Sequence, residues 1–501
     1  MSMPAERIRP SPSLAELLQG YAQAPSIPVS GIASDSRQLG EDYLFLACQG
    51  ISSHGIDYLE EAIAAGVCAI AWDSSTTDAP VVSEDVAMIG VADLAAHLGE
   101  IANRFYGRPS ANMKVFGVTG TNGKTTVAWL IAQCLQRLGH KCAYLGTLGF
   151  GVAELQGGDD MTTPPAVEMH QRLASFVAAG AEAAAIEISS HALSQERVNG
   201  VRFESALFTN LTRDHLDYHK NMHDYFESKV RLFLECDTRN RIVNLDTEFG
   251  TELAARCGQN VVTVSTEFNR VANGRPYVFV CSVVASDKGS NISFTSSWGD
   301  GQFVLPLPGD FNVANAAIVL ALLLSQGVSV ADACAALAGV DAPPGRMQRV
   351  AAGGAAVYID YAHTPNAIEV TLRALRLHCR GKLWCVFGCG GDRDAGKRPL
   401  MGRRAERLAD QVVITNDNPR GEDPQHIIDE IYAGLVHPES AVIIEDRAAA
   451  IAWAISQADG SDIVLIAGKG HEKFQQVGDE RLRFSDYAVA LAALEAGTGQ
   501  E

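Results

Sequence analysis

A glycine-rich turn between a short apolar strand and a helix constrains the fold of this chain most. The run is Gly117-Val-Thr-Gly-Thr-Asn-Gly-Lys-Thr-Thr126, and apolar residues at helical spacing follow it as far as Leu138. The backbone N–H groups of such a turn, with a helix N-terminus behind them, form a nest for nucleotide phosphates. We therefore expect Lys124 to reach the β- and γ-phosphates of ATP and the Thr125 hydroxyl to bind Mg²⁺.

Polar segments follow two further apolar strands of the same region. Glu187 ends a buried strand beside the predicted phosphate loop, where a carboxylate is well placed to hold Mg²⁺. His215 follows another strand and is a candidate magnesium ligand or phosphate contact. The spacing of His215, His219 and His223 leaves a zinc site as an alternative, although neither an HExxH motif nor a cysteine partner accompanies them. On sequence alone, Lys229 looks like a surface lysine.

Three polar clusters follow apolar strands in the last third of the chain. They are Gly388–Asp394, Asp417–Arg420 and Gly468–Glu472. Because α/β sheets bind ligands at the carboxyl ends of their strands, these clusters predict a substrate edge, with solvated surface charge as the alternative. The first cluster is also a weak dinucleotide fingerprint, since its glycine spacing is wrong and no ribose-binding acid accompanies it.

Alternating strand and helix patterns predict an α/β protein of three domains. They are a small N-terminal α/β domain over residues 1–92, a central P-loop domain with a mostly parallel sheet over 93–344, and a C-terminal Rossmann-like doubly wound domain over 345–501. A helix is predicted over Leu94–Tyr106 with Asp93 as its N-cap. The stretch Val261–Leu305 is expected to be β-rich, and Val313–Leu324 to form a buried helix.

Charge and composition argue against several classes of protein. Forty Lys plus Arg against 59 Asp plus Glu give a net charge of −19, which does not suit binding to nucleic acid or anionic membranes through bulk charge. No apolar run approaches the roughly 20 residues of a membrane span. The 11 cysteines include no CxxC pair, so reduced thiols in a cytoplasm are expected. We expect a cytoplasmic monomer with neither nucleic-acid nor membrane partners.

Taken together, these segments resemble the Mur ligases of peptidoglycan synthesis. The motifs that carry the resemblance span nearly the whole chain: Gly120-Thr-Asn-Gly-Lys-Thr-Thr126, Glu187-x-Ser-Ser-His191, Asn210-x-x-x-Asp-His215, Asn312-Val-Ala-Asn315, Gly345-Arg346, Asp360-Tyr-Ala-His363 and Gly468-Lys-Gly-His-Glu472. Within the family, Asp417-Asn-Pro-Arg420 and Asp35-Ser-Arg37 resemble the members that add meso-2,6-diaminopimelate to UDP-N-acetylmuramoyl-L-alanyl-D-glutamate. The resemblance implies ATP and Mg²⁺ as cofactors and an acyl phosphate formed on the D-Glu γ-carboxylate.

The resemblance also assigns site residues. The expected catalytic residues are Lys124, Lys229 and His215. ATP contacts are expected from Gly120, Thr121, Asn122, Gly123, Lys124, Thr125, Thr126, Asn315, Arg346 and Asp360. The UDP-linked substrate is expected to contact Ser34, Ser36, Ile51, Ser52, Ser53, Thr162, Thr163, Ser189, Gln195 and Arg197. Diaminopimelate is expected to contact Arg393, Asp417, Asn418, Pro419, Arg420, Gly468 and Glu472. The implied metal ligands are Thr125, Glu187, His215 and Lys229, the last as a carbamate.

Three other classes of function share parts of this pattern. A P-loop kinase or NTPase would use the same loop but would not need a third domain with a dense strand-end edge. A pyridine-nucleotide dehydrogenase would depend on the C-terminal glycines and would bind NAD. A non-catalytic nucleotide-binding module would leave the polar groups at two sheet edges without a purpose.

Overall fold

The computed structural model describes residues 11–50, 53–80, 86–157, 161–267, 274–286, 288–350 and 353–498. Two of the predicted site residues, Ile51 and Ser52, lie outside the described residues. The chain divides into two compact units, one reaching Val264 and the other extending from Tyr277 towards the C-terminus.

The N-terminal part of the first unit is a small parallel sheet with helices. Its strands are β1 (Gly31–Ala33), β2 (Tyr43–Ala47), β3 (Ala69–Asp73) and β4 (Ala87–Val91), paired in that order, and its helices are α1 (Leu14–Leu17), α2 (Leu59–Ala64) and α3 (Leu94–Phe105). The predicted helix is confirmed as α3, but Asp93 has a φ of 51° and makes no side-chain cap hydrogen bond. Leu94 and Ile101 of α3 share a core with Leu44 of this sheet. The boundary at residue 92 stays a prediction.

A second sheet fills the rest of the first unit. Its strands are β5 (Lys114–Thr119), β6 (Cys142–Gly146), β7 (Gly149–Gly151), β8 (Ala183–Glu187), β9 (Phe203–Phe208), β10 (Thr238–Asn244) and β11 (Val262–Ser265). They lie in the order β11-β10-β9-β5-β8-β6-β7, with every pair parallel except β6–β7. The helices are α4 (Lys124–Arg137), α5 (Ala166–Ala178), α6 (Ser190–Ser194), α7 (Met222–Leu234) and α8 (Glu248–Arg256). The predicted, mostly parallel sheet is confirmed, and it aligns the ends of β5, β8 and β9 at one edge.

The second unit begins with an antiparallel sheet and two helices. The strands are β12 (Tyr277–Ser286), β13 (Gly289–Ser296) and β14 (Gly301–Leu305), followed by α9 (Asp310–Ser325) and α10 (Val330–Ala338). The β-rich stretch and the buried helix predicted here are both confirmed. Helix α9 is buried around nearly all of its circumference because its residues are apolar on every side.

The C-terminal part of the second unit is a doubly wound sheet. Its strands are β15 (Gln348–Val350), β16 (Ala356–Asp360), β17 (Leu383–Phe387), β18 (Gln411–Ile414), β19 (Val442–Ile443) and β20 (Ile463–Ala467), in the order β15-β16-β20-β17-β18-β19. The helices are α11 (Pro365–Arg376), α12 (Lys397–Leu408), α13 (Pro424–Tyr432), α14 (Arg447–Gln457) and α15 (Asp486–Thr498), and a hairpin is formed by β21 (Phe474–Val477) and β22 (Glu480–Arg483). The two faces of this sheet pack into separate hydrophobic cores. Cys385 of β17 belongs to one core, and its neighbour Trp384 belongs to the other. Burial on both faces explains why these strands are apolar throughout.

None of the helices in the part of the chain that the structure describes is both long enough and apolar enough to cross a membrane.

Candidate active site

The loop between β5 and α4 has the shape that its glycines allow. Gly120 has a φ of 150° and Gly123 a φ of 86°, a region that other residues rarely adopt. A Cβ atom at Gly120 would also lie 1.9 Å from the Thr209 hydroxyl oxygen, so no side chain fits there. Hydrogen bonds from the segment after β9 stabilise the loop, since the Thr121 N–H donates to the Asn210 carbonyl at 2.9 Å. The Asn122 N–H donates to Oδ1 of the same asparagine at 3.1 Å.

The cationic and hydroxyl side chains at the start of α4 lie where the sequence predicts them. The Lys124 Nζ donates to the carbonyls of Gly120 at 3.0 Å and Thr121 at 2.8 Å, so the ammonium lies against the loop. The Thr125 hydroxyl donates to the Glu187 Oε2 at 2.8 Å. Thr126 is buried in the same helical turn.

Glu187 is a fully buried carboxylate at the end of β8. Its Oε1 accepts hydrogen bonds from the Tyr144 hydroxyl at 2.5 Å and from the Thr147 N–H at 2.9 Å. A side chain at position 146 would displace this carboxylate, because a Cβ there would lie 2.1 Å from its Oε1. The Glu187 and Thr125 oxygens are the hard donors that Mg²⁺ prefers, so this pair fits the magnesium site that the sequence predicts.

The histidines after β9 do not form a single helical row. His215 and His219 lie in the turns before α7, and His223 lies in the first turn of that helix. His215 is exposed, with a φ of 52°, and its ring centroid lies 5.0 Å from that of His191 on α6. Across the described ranges, no group of three or more His, Cys, Asp or Glu side chains is arranged to hold a metal, so the zinc alternative gains no support.

Lys229 is buried, with 1% of its surface exposed, and the interpretation of it as a surface lysine is wrong. Its Nζ donates to the Gly120 carbonyl at 2.9 Å and lies 4.5 Å from the centre of the Tyr225 ring. Burial lowers the pKa of the Lys229 amine well below its usual value, and the positive charge of Lys124 lowers it further while Asp214 opposes the shift. The helical spacing of Tyr225, Lys229 and Leu232 already indicates a shared buried face.

Most of the residues assigned to the muramoyl dipeptide lie together beside Glu187. The Thr163 hydroxyl donates to the Glu187 carbonyl oxygen at 2.8 Å and accepts from the Ser189 N–H at 3.1 Å. Arg197 donates to the Thr163 carbonyl at 2.8 Å and to the Gln195 Oε1 at 2.6 Å. Thr162 lies alongside, with its hydroxyl oxygen 3.4 Å from that of Thr147.

The residues assigned to the uridine end follow β1 and β2 of the N-terminal sheet. Ser34 is exposed directly after β1, and Ser36 begins a 3₁₀ turn that the Asp35 carboxylate caps. Ser53 accepts a hydrogen bond from the Tyr58 hydroxyl at 3.2 Å. These serines therefore lie after neighbouring parallel strands, at the same edge of that sheet.

In the second unit, Arg346 and Asp360, both assigned to the nucleotide, lie close together in the fold. Asp360 ends β16, and its Oδ2 accepts from the Met347 N–H at 2.8 Å. Burial raises the pKa of the Asp360 carboxyl, and the neighbouring charge of Arg346 opposes that shift. The Arg346 guanidinium lies 4.6 Å from the centre of the Tyr361 ring. Asn315 is buried on α9.

The residues assigned to diaminopimelate come from the ends of β18 and β20. Asp417, Asn418 and Pro419 are buried after β18, and burial raises the pKa of the Asp417 carboxyl. Gly468 follows β20 with a φ of 116°, and a Cβ there would lie 2.5 Å from the Asp417 Oδ2. The side-chain amide of Asn418 donates to the Glu472 Oε2 at 2.8 Å, which joins the two strand ends.

Two arginines of this cluster differ in their surroundings. Arg420 has a φ of 50°, and its NH1 donates to the Gly391 carbonyl at 2.8 Å. The hairpin holds its backbone, since the Arg420 N–H donates to Gln476 O at 3.1 Å and the Gly478 N–H donates to Arg420 O at 2.7 Å. Arg393 is exposed on the preceding loop. This role of the hairpin is not apparent from the sequence, because its strands are short and polar.

The fold and its phosphate loop define the class: an α/β protein with a P-loop parallel sheet and a doubly wound sheet whose strand ends carry a second polar cluster. The chain belongs to the Mur ligase family. The family's middle domain matches residues 118–323, its glutamate ligase domain residues 345–470, and its catalytic domain residues 28–106. The resemblance inferred from the motifs is confirmed.

Similar proteins cover nearly the whole chain. A UDP-N-acetylmuramoyl-L-alanyl-D-glutamate--2,6-diaminopimelate ligase of Alkalilimnicola ehrlichii is 43% identical over 96% of this chain and 98% of its own length. A protein of the same description from Haemophilus influenzae (strain PittGG) is 41% identical over 94% of this chain and 97% of its own. A solved structure with that description has a TM-score of 0.76 and 32% identity, and the match covers 97% of this chain and 99% of the solved one.

Proposed function

We propose that the protein ligates meso-2,6-diaminopimelate to the D-Glu γ-carboxylate of UDP-N-acetylmuramoyl-L-alanyl-D-glutamate, with conversion of ATP to ADP and phosphate. One observation carries the proposal: the Arg420 guanidinium and the Glu472 carboxylate both contact Asn418 at one edge of the sheet. Arg420 contacts the Asn418 carbonyl, and Glu472 contacts its side-chain amide. Such a pair suits an amino acid that carries a carboxylate and an ammonium at its far end. The relatives at 43% and 41% identity carry the same activity in their descriptions.

The first chemical step activates the substrate carboxylate. Its oxygen attacks the γ-phosphorus of ATP, the bond from that phosphorus to the bridging oxygen breaks, and ADP leaves. Lys124 supplies a positive charge for the phosphates, and the loop backbone orients them. Mg²⁺, when held by Thr125, Glu187, His215 and a carbamate on Lys229, supplies charge neutralisation on the phosphates.

The second step forms the amide bond. The diaminopimelate amine attacks the acyl carbon, the bond from that carbon to the phosphate oxygen breaks, and the amine loses a proton as phosphate leaves. An acyl phosphate is a far better acyl donor than a carboxylate, so the two-step route lowers the barrier. Arg197 and the Thr163 backbone are proposed to orient the dipeptide, while Arg420 and Glu472 orient the incoming amino acid.

The remaining assignments are part of the same proposal. The three domains bind the UDP-linked substrate (1–92), ATP (93–344) and the amino acid (345–501). Asn315, Arg346 and Asp360 are proposed nucleotide contacts, and Ser34, Ser36 and Ser53 are proposed uridine contacts. Because ATP and UDP-linked sugars are cytoplasmic metabolites, we propose a cytoplasmic enzyme, acting as a monomer.

The test is phosphate release in the presence of ATP, Mg²⁺ and the UDP-linked dipeptide, with each candidate amino acid added in turn. Release should require meso-diaminopimelate, and mass spectrometry should detect the UDP-linked tripeptide. Release without any amino acid would indicate an NTPase instead. Binding of NAD, followed by fluorescence, would favour the dehydrogenase alternative.

A further inference from the structure

Lys469 is a buried lysine that the proposed mechanism does not use. It follows Gly468 at the end of β20, and its side chain is 0% exposed. Its Nζ donates to the Asn418 Oδ1 at 2.8 Å and to the Glu472 Oε2 at 3.0 Å. A lysine that is removed from water in this way is stabilised only by the groups it contacts, so its contacts define its role.

These contacts fix the orientation of the Asn418 amide. Its Oδ1 accepts from Lys469 and from the Gln476 N–H at 2.9 Å, and both partners can only donate. Its Nδ2 donates to the Glu472 Oε2 at 2.8 Å. Reversing the amide would place two donors against each other, so a single orientation is stable.

The same contacts make the two oxygens of Glu472 unequal. Oε2 accepts from both Lys469 and Asn418, whereas Oε1 accepts no hydrogen bond from any residue in the described ranges. The Glu472 side chain is 22% exposed, so a ligand can reach the carboxylate. Lys469 therefore leaves one acceptor, at a defined position, for an ammonium group.

The guanidinium of Arg420 is tied to the other side of Asn418. Its NH1 contacts the Asn418 carbonyl at 3.5 Å and the Gly391 carbonyl at 2.8 Å. Asn418 thus contacts both the Arg420 guanidinium and the Glu472 carboxylate, and it holds the two groups at a defined separation. A ligand that satisfies both must present its carboxylate and its ammonium in one spatial order.

We propose that Lys469 is a positioning residue that makes the site distinguish meso- from L,L-diaminopimelate. This inference rests on the proposed function. The two isomers differ only at one carbon, where inversion exchanges the directions of the ammonium and the carboxylate. Arg420 can bind the carboxylate of either isomer and rejects lysine, which lacks it. The L,L isomer directs its ammonium away from the Glu472 acceptor when its carboxylate is bound to Arg420. It therefore binds more weakly only if that acceptor is held in place, and Lys469 holds it.

The variant that tests this is Lys469→Met, which keeps an unbranched side chain one atom shorter and removes the ammonium donors. We expect the KM for meso-diaminopimelate to rise about tenfold, as the loss of charged hydrogen bonds implies. The preference for meso over L,L should fall by a similar factor. The KM values for ATP and the UDP-linked dipeptide should not change, and lysine should still be rejected. Lys473→Met, at an exposed lysine of the same loop, should behave like the unmodified protein.

Four further results bear on the inference. An unchanged meso to L,L ratio in Lys469→Met would overturn it, as would an equal rise in all three KM values with a lower Tm, which indicates general loosening. If Lys469→Met does not fold, Lys469→Gln, which keeps one donor, should show an intermediate loss of isomer preference. Adding Lys469→Met to Glu472→Gln should cost nothing more if Lys469 acts through Glu472. Failure of the proposed function looks different, because the unmodified protein would then not respond to diaminopimelate.

Discussion

The Lys229 amine donates to the carbonyl oxygen of Gly120 at 2.9 Å, so a side chain of α7 contacts the phosphate loop directly. The same carbonyl also accepts from Lys124 at 3.0 Å. Two ammonium groups on one acceptor repel each other, and the pKa of Lys229 is lowered by its burial and by this neighbour. The lowered pKa makes the neutral amine at position 229 easier to form than that of an exposed lysine.

A neutral Lys229 amine can attack CO₂, forming a C–N bond and releasing a proton, which yields the proposed carbamate. Lys229→Arg keeps a positive charge but cannot form this group, so we expect kcat to fall about 100-fold or more. Labelling with ¹³C-bicarbonate should give a carbamate signal by NMR in the unmodified protein and none in the variant. Full activity of Lys229→Arg would contradict the carbamate.

Lys124→Ala removes the positive charge at the start of α4, where the side chain contacts two loop carbonyls. We expect the ligation rate to fall by about 10²–10³-fold, because a preorganised charge on the phosphates is lost. The circular-dichroism spectrum should not change, since the side chain is only partly buried. Lys114→Ala, at the exposed start of β5, is the matched control. Near-normal ligation by a folded Lys124→Ala protein would rule out the phosphate-loop assignment.

Arg420→Ala should abolish the preference for meso-diaminopimelate over L-lysine. A site that pairs a polar group can reject an analogue lacking it by roughly 10⁴-fold, and Arg420 is the cation held at this edge by Gly391 and the hairpin. The ratio of kcat/KM values for the two amino acids is the measurement. Arg403→Ala, at an exposed arginine of α12, should leave the ratio unchanged. Comparable values for both amino acids in the unmodified protein would contradict the assignment.

The strand-end clusters could be predicted from the sequence because parallel strands place their carboxyl ends at one edge. Glu187 and Asp417 are therefore found where they were expected, and Thr125 contacts the first of them. The charge of Lys229 favours a surface position, whereas the periodicity of α7 places it on the buried face. The role of Lys469 is not apparent from the sequence, because its partner Asn418 is 51 residues away in the chain. Contacts at that separation leave no local pattern.

His170 on α5 should make the stability of the first unit depend on pH. It is fully buried, its Nε2 lies 2.9 Å from the Asn199 carbonyl, and burial lowers its pKa to about 4 from 6.5. Between these values the unfolded chain binds a proton that the folded chain excludes. Stability is therefore complete above pH 6.5 and falls as the pH drops towards 4, by about 3 kcal/mol.

Urea unfolding at several pH values measures this loss. His170→Asn should flatten the dependence between pH 6.5 and 4, whereas His426→Asn, at an exposed histidine of α13, should leave it unchanged. An unaltered slope in His170→Asn would show that other groups carry the effect.

Arg447 and Asp486 form an ion pair in which both side chains are 0% exposed. The Arg447 guanidinium also donates to the Asn416 carbonyl at 3.1 Å and to the Ala467 carbonyl at 3.0 Å. These two residues directly precede Asp417 and Gly468, which are assigned to diaminopimelate. Asp486→Ala leaves a buried charge unpaired and should destabilise the second unit by about 3–5 kcal/mol, whereas replacing both partners by Arg447→Met with Asp486→Leu should cost much less.

The double variant still loses both carbonyl contacts, so its KM for diaminopimelate should rise while its KM for ATP does not. Ile451→Ala, at a buried core residue of α14, is the control: it should lower the Tm without changing that KM. A double variant with an unchanged KM would show that the ion pair stabilises the fold without shaping the site.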